Sequence, residues 1–142
     1  MKTQLLLVSL IVTMLGHASA STADIAVIIN HDNDIASLSK EDLKRIYTGS
    51  VSKFSNGMPI YLSDLKKKDP SRAEFYQKVT GKSAKKMIRH WRKKLFSGEG
   101  IPPKENKNAK RMMAWVSDLD GAIGYMDASL VDDSVRIILI IK

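Results

Sequence analysis

The run Asp24-Ile-Ala-Val-Ile-Ile-Asn30 limits the fold more than any other feature of this chain. It is short, unbroken and rich in Ile and Val. A strand with one wet face would alternate apolar and polar residues, so this run predicts a strand covered on both faces. The segments that follow alternate between strand and helix patterns. Ser39 is a good N-cap, with Asp42 three positions on and Leu38 and Leu43 at hydrophobic-staple spacing, and Gly49 is placed to end that helix. Ser55 to Gly57 reads as a turn and Met58 to Leu62 as a second strand. Asp69-Pro70 opens a further helix that runs to about Thr80, where Gly81 stops it.

From Ser83 to Phe96 the apolar residues Met87, Ile88, Trp91 and Leu95 share one helical face, and Lys85, Lys86, Arg89, Arg92, Lys93 and Lys94 take the rest. Gly98 to Lys104, with two adjacent prolines, is predicted to be loop. A helix from about Asn108 to Ser117 and strands in Gly121–Met126 and Ser134–Lys142 complete the pattern. The alternation predicts an α/β fold with a mixed sheet flanked by helices.

The first 20 residues stand apart. Lys2 precedes the apolar stretch Leu5–Leu15, and Ala18-Ser19-Ala20 has the small-x-small order of a signal-peptidase site, which predicts a cleaved signal peptide over residues 1–20 and a single domain over residues 21–142. The stretch falls short of the roughly 20 apolar residues that span a bilayer, so an exported, periplasmic protein that does not span the membrane is expected. The chain has no cysteine, so packing alone must hold the domain together. The net charge of +8 attracts anions in general and selects no partner.

Taken in order, Asp24–Asn30, Leu38–Gly49 with Val51–Phe54 close behind, the helix reaching Phe75, and Asp120–Asp127 resemble the second lobe of the periplasmic phosphate-binding proteins that serve ABC-type phosphate transporters. The resemblance covers about Asp24 to Asp127. It implies a single periplasmic-binding-protein-like lobe, a non-enzymatic role in phosphate uptake or sensing, and a transporter or other envelope protein as partner. Aligned without gaps on Phe75, the family's Ser-Gly-Thr at the helix start falls on Asp69, Pro70 and Ser71, and the arginine four residues earlier falls on Leu65. Asp69 can only accept hydrogen bonds and Pro70 has no N–H, so the triplet departs from the family pattern. It reads equally as a self-capped helix, with the carboxylate on the positive end of the dipole.

Two functional readings follow from these residues. In the first, inorganic phosphate or a related oxyanion is held weakly near Ser71, with Lys68, Asp69 and Arg72 as the other candidate ligand-binding residues. In the second, the module binds no small ligand and its basic helix 83–96 meets an acidic macromolecule, a membrane face or a protein partner; nucleic acid is not expected for an exported protein. His31 and His90 are too scattered for a metal site, no nucleophile–base pair stands out, and neither catalytic residues nor a cofactor are expected. Export should yield a protein beginning at Ser21; intact mass of the protein recovered from the envelope fraction checks this, and a mass retaining residues 1–20 contradicts it.

Overall fold

The computed structural model describes residues 23–142, so the signal peptide expected over residues 1–20 lies outside the described residues. Five strands and four helices follow one another as β1 (Ile25–Ile29), α1 (Lys40–Tyr47), β2 (Tyr61–Leu65), α2 (Pro70–Thr80), α3 (Ala84–Ser97), β3 (Lys104–Asn106), α4 (Ala109–Asp118), β4 (Ala122–Asp127) and β5 (Arg136–Ile141), with one turn of 3-10 helix at Ala128–Leu130. The strands form one mixed sheet in the order β3-β2-β4-β1-β5. β1 is antiparallel to both its neighbours, whereas β2 is parallel to both β3 and β4.

β1 is an inner strand, and all five of its residues are buried, which explains its unbroken apolar sequence. Each fully buried Ile or Val contributes about 1.5–3 kcal/mol relative to an exposed one. Successive residues of β4 reach opposite faces of the sheet. Gly124 lies against Met112 and Val116 of α4, and Tyr125 stacks on Phe75 of α2 at a centroid distance of 3.8 Å. Helix α4 therefore covers one face, and α1 and α2 cover the other. Helix α3 packs outside them, tied down by Trp91 Nε1, which donates to Tyr47 O at 3.1 Å.

The helix ends follow the sequence signals. Ser39 and Asp42 form a full capping box, and the hydrogen bonds from Ser39 hold the exposed Asp42 carboxyl below its ordinary value. Asp69 caps α2, with Pro70 at the first position and Gly81 left-handed at its end. Two strand assignments need correction. The second strand is Tyr61–Leu65 rather than Met58–Leu62: Pro59 makes only an isolated bridge with Lys53, and Ile60 N donates to Ser52 O, so ladder pairing with β4 starts at Tyr61. Lys104, assigned to loop, starts the three-residue strand β3, whose polar sequence Lys-Glu-Asn carries no apolar signal because it forms the edge of the sheet.

Gly121 precedes β4 where two chain segments nearly touch. Its carbonyl accepts from Tyr61 N at 2.9 Å, and a Cβ there would lie 2.0 Å from Pro59 O. At Gly124 a Cβ would meet the Met112 sulfur at 2.4 Å, an obstacle that a flexible side chain relieves by moving. Gly121→Ala should therefore destabilise the protein by about 1–3 kcal/mol or more, and Gly124→Ala by less, as urea unfolding midpoints will report.

Candidate functional site

The parallel pairing of β2 with β3 sets Leu65 opposite Asn106, so both strands end at the same edge of the sheet. The loops that leave them start α2 and α4. Lys66, Lys67 and Lys68 on one side, and Lys107, Lys110 and Arg111 on the other, are all exposed at this end. Among the described residues none of these six lies within 4 Å of a carboxylate. Carboxyl ends of parallel strands, where helix N-termini gather, are the usual ligand end of an open α/β sheet.

At this edge the start of α2 is closed by its own residues. Asp69 Oδ1 accepts from Ser71 N at 2.9 Å. Pro70 has no N–H, and Arg72 N donates to Asp69 O at 3.1 Å. The carboxylate thus sits on the positive end of the helix dipole, where an external anion would have to compete with it. Ser71 is half-buried and Lys68 is exposed. The first reading thus finds Lys68, Asp69 and Ser71 together at one surface.

Arg72 points the other way. Its side chain is 7% exposed and pairs with Asp64 at 3.2 Å and with the half-exposed Glu105 at 3.2 Å. Nη1 also donates to Leu65 O at 2.7 Å, whereas Nε is buried without a partner among the described residues. Asp64, near the end of β2, accepts from four donors: Tyr125 Oη and Leu65 N on Oδ1, and Tyr76 Oη at 2.7 Å and Arg72 Nη2 on Oδ2. Burial pushes the Asp64 carboxyl above its ordinary value of 3.8, opposed by the Arg72 guanidinium and by the hydrogen bonds from Tyr125, Tyr76 and Leu65. Burial, reinforced by the Asp64 charge, raises Tyr47, Tyr76 and Tyr125 well above 10.0, so all three stay protonated and donate.

Sequence reasoning missed Asp64, Glu105, Tyr76 and Tyr125. The available signal was a lone carboxylate in the strand Tyr61–Leu65, eight residues before an arginine whose helix also carries Phe75 and Tyr76 on its buried side. Their convergence requires β4 and β3 to lie beside β2, which no local pattern states.

The fold is that of a periplasmic-binding-protein-like lobe, a mixed sheet flanked by helices. Solved structures similar to it include a candidate phosphate ABC transporter substrate-binding protein with bound phosphate from Clostridium perfringens, at 24% identity and a TM-score of 0.65, covering 82% of this chain and 45% of that one. Others are an ABC-type phosphate transport receptor from Vibrio cholerae, at 20% identity and a TM-score of 0.65, covering 82% and 46%, and a candidate phosphate-binding protein from Planctomyces limnophilus DSM 3776, at 22% and 0.55, covering 75% and 37%. This chain therefore spans less than half the length of each. No protein-family model matches the sequence, and no curated protein matches it significantly.

The buried pair makes a direct prediction. Arg72→Met leaves Asp64 charged and unpaired and should cost about 3–5 kcal/mol in urea unfolding, whereas Lys68→Ala, on the surface, should stay within about 0.5 kcal/mol. Because the folded state raises the Asp64 value, it binds more protons than the unfolded chain between 3.8 and the raised value, so the Asp64 contribution to stability falls as pH rises through that window. Asp64→Asn should remove that part of the slope.

Proposed function

We propose that this protein is an exported, non-enzymatic anion-binding module related to the substrate-binding components of phosphate ABC transporters. It attracts inorganic phosphate or a related oxyanion to the start of α2 and holds it weakly. The observation that carries this reading is the Asp69–Ser71 bond of 2.9 Å, at the sheet edge where six exposed cations follow the ends of β2 and β3. The cations raise the local anion concentration, while the internal carboxylate takes the position where a tightly held anion would sit. Lys68 and Ser71 are the residues nearest to such an anion in sequence, with Arg72 beneath them as structural support. The likeness to structures described as phosphate-binding makes phosphate the first anion to test. Residues 21–142 act as one domain in this reading, in the periplasm, with a transporter or another envelope protein as partner. No helix among the described residues is long and apolar enough to cross a membrane.

A second reading has one specific observation behind it. Helix α3 carries six cations, of which Lys94 alone is within 4 Å of a carboxylate among the described residues, that of Glu99 at 3.7 Å. Phe96, on the same helix, is 85% exposed. An acidic macromolecule, membrane face or protein partner on this surface would give retention that falls steeply with salt.

Calorimetry of the purified protein against phosphate and sulfate separates the two readings. A weak, saturable, stoichiometric isotherm supports the small-ligand module. Asp69→Ser keeps a hydroxyl cap while removing the opposing charge, so phosphate affinity should rise several-fold, up to about tenfold, at a helix cost of about 0.3–1 kcal/mol. A wild-type protein that binds phosphate and loses it on Asp69→Ser overturns the self-capping argument, because Asp69 would then be accepting a proton from a hydrogen-bearing phosphate.

A further inference from the structure

Between α2, α3 and the segment leading into β3 lies a cleft of about 260 Å³ that shares only Lys67 and Arg72 with the phosphate reading. Its charged lining is Lys67, Arg72, Arg92 and Glu105, three cations and one acid. Its apolar lining includes Ile88, Trp91, Leu95 and Pro103. Leu95, 52% exposed, adds apolar surface beside the charged cluster.

Arg72 is the buried member of that cluster, and its hydrogen bonding is incomplete. A guanidinium has five N–H donors and no acceptor. Here Nη1 serves Leu65 O and Glu105, Nη2 serves Asp64, and Nε has no partner among the described residues. Glu105 is 50% exposed and holds Arg72 at 3.2 Å, so of the two carboxylates on Arg72 it is the one that solvent reaches and that another anion can replace. Asp64, 5% exposed and held by four donors, stays in place.

We infer that this cleft is a second binding site, for a small organic anion that has one acidic head group and an apolar ring or chain. The head group takes the place of the Glu105 carboxylate at Arg72, with Arg92 and Lys67 beside it, and the apolar body lies against Ile88, Trp91 and Leu95. Inorganic phosphate is a poor occupant, because it would leave those walls in contact with water. The cleft, about 260 Å³, is slightly smaller than the roughly 300 Å³ at which drug-sized ligand pockets begin, and a small ring-bearing anion fits within it. The inference does not rest on phosphate binding at α2. Arg92 and Glu105 belong to this cleft and not to the rim around Asp69.

The chain has two tryptophans, Trp91 and Trp115, and only Trp91 lines this cleft. In the full protein carrying Trp115→Phe, titration with phenyl phosphate and with benzoate should give a saturable change in Trp91 emission for at least one of them. Inorganic phosphate and benzyl alcohol should bind this site at least about tenfold more weakly, since each lacks one half of the ligand. Arg92→Ala should weaken the organic anion by about tenfold, and Glu105→Gln should strengthen it several-fold by removing the competing charge. Arg92 and Glu105 are both exposed, so these variants should fold; a thermal melt of each confirms it. Affinities that stay the same in both folded variants, an organic anion that binds no better than inorganic phosphate, or no Trp91 response to either aromatic anion overturns the inference. Loss of inorganic phosphate binding on its own bears only on the α2 reading.

Discussion

The structure depends on one buried carboxylate. Asp64 lies near the end of β2 with every acceptor position filled, two donors on each oxygen, and the donors come from β2 itself, α2 and β4. A charge taken out of water this completely costs several kcal/mol unless it is paired and hydrogen-bonded. The fold meets that requirement with Arg72 and two tyrosine hydroxyls, and surrounds them with Tyr47 and Phe75 in edge-on and stacked contacts. Tyr47 Oη, buried with them, donates to Ser63 O at 2.9 Å and so ties α1 to the same strand. The sheet and the two helices on this face, α1 and α2, thus meet at one polar point inside an aromatic cluster.

This arrangement determines what the surface above it can do. Arg72 reaches down to Asp64 from the first turn of α2, which fixes the helix start relative to β2 and removes the arginine from the outer surface. The charge offered to solvent at that end comes instead from lysines on flexible stems and from Arg111. Lysine ammonium groups attract anions as point charges, whereas a guanidinium grips them in two places. With Asp69 on the helix dipole, this end of the sheet has several exposed cations and few preorganised donors. In the proposed reading, that combination suits concentration and exchange of an anion better than retention.

The same strand ends link the two proposed sites. Glu105 of β3 sits on the Arg72 guanidinium from the cleft side, and Lys67 lies both in the cleft lining and among the rim cations. A change of charge in the cleft therefore acts on the arginine that anchors α2. Through-space effects at these separations are only partly screened, because Arg72 is buried.

Local patterns along the chain specified all four helices, four of the five strands and several of their ends. The five-residue apolar run of β1, the Ser39–Asp42 capping box and the Asp69-Pro70 start with Gly81 at the close of α2 are local patterns, and local sterics and hydrogen bonding decide them wherever the chain goes. The self-capped start of α2 was legible for the same reason, since Asp69 and Ser71 are two residues apart. The tertiary structure alone decided what is adjacent. The start of β2 at Tyr61 depends on where β4 offers partners. β3 exists as a strand only because β2 lies beside it, and its three polar residues carry no pattern of their own. The inward turn of Arg72 follows from a carboxylate eight residues earlier and a tyrosine hydroxyl 61 residues beyond Asp64, and the second bank of cations joins Lys66–Lys68 through the pairing of Leu65 with Asn106. Hydrophobic burial is non-directional and reads out along the chain as periodicity, but a buried charge is satisfied by specific partners from distant segments, and only the assembled fold brings them together.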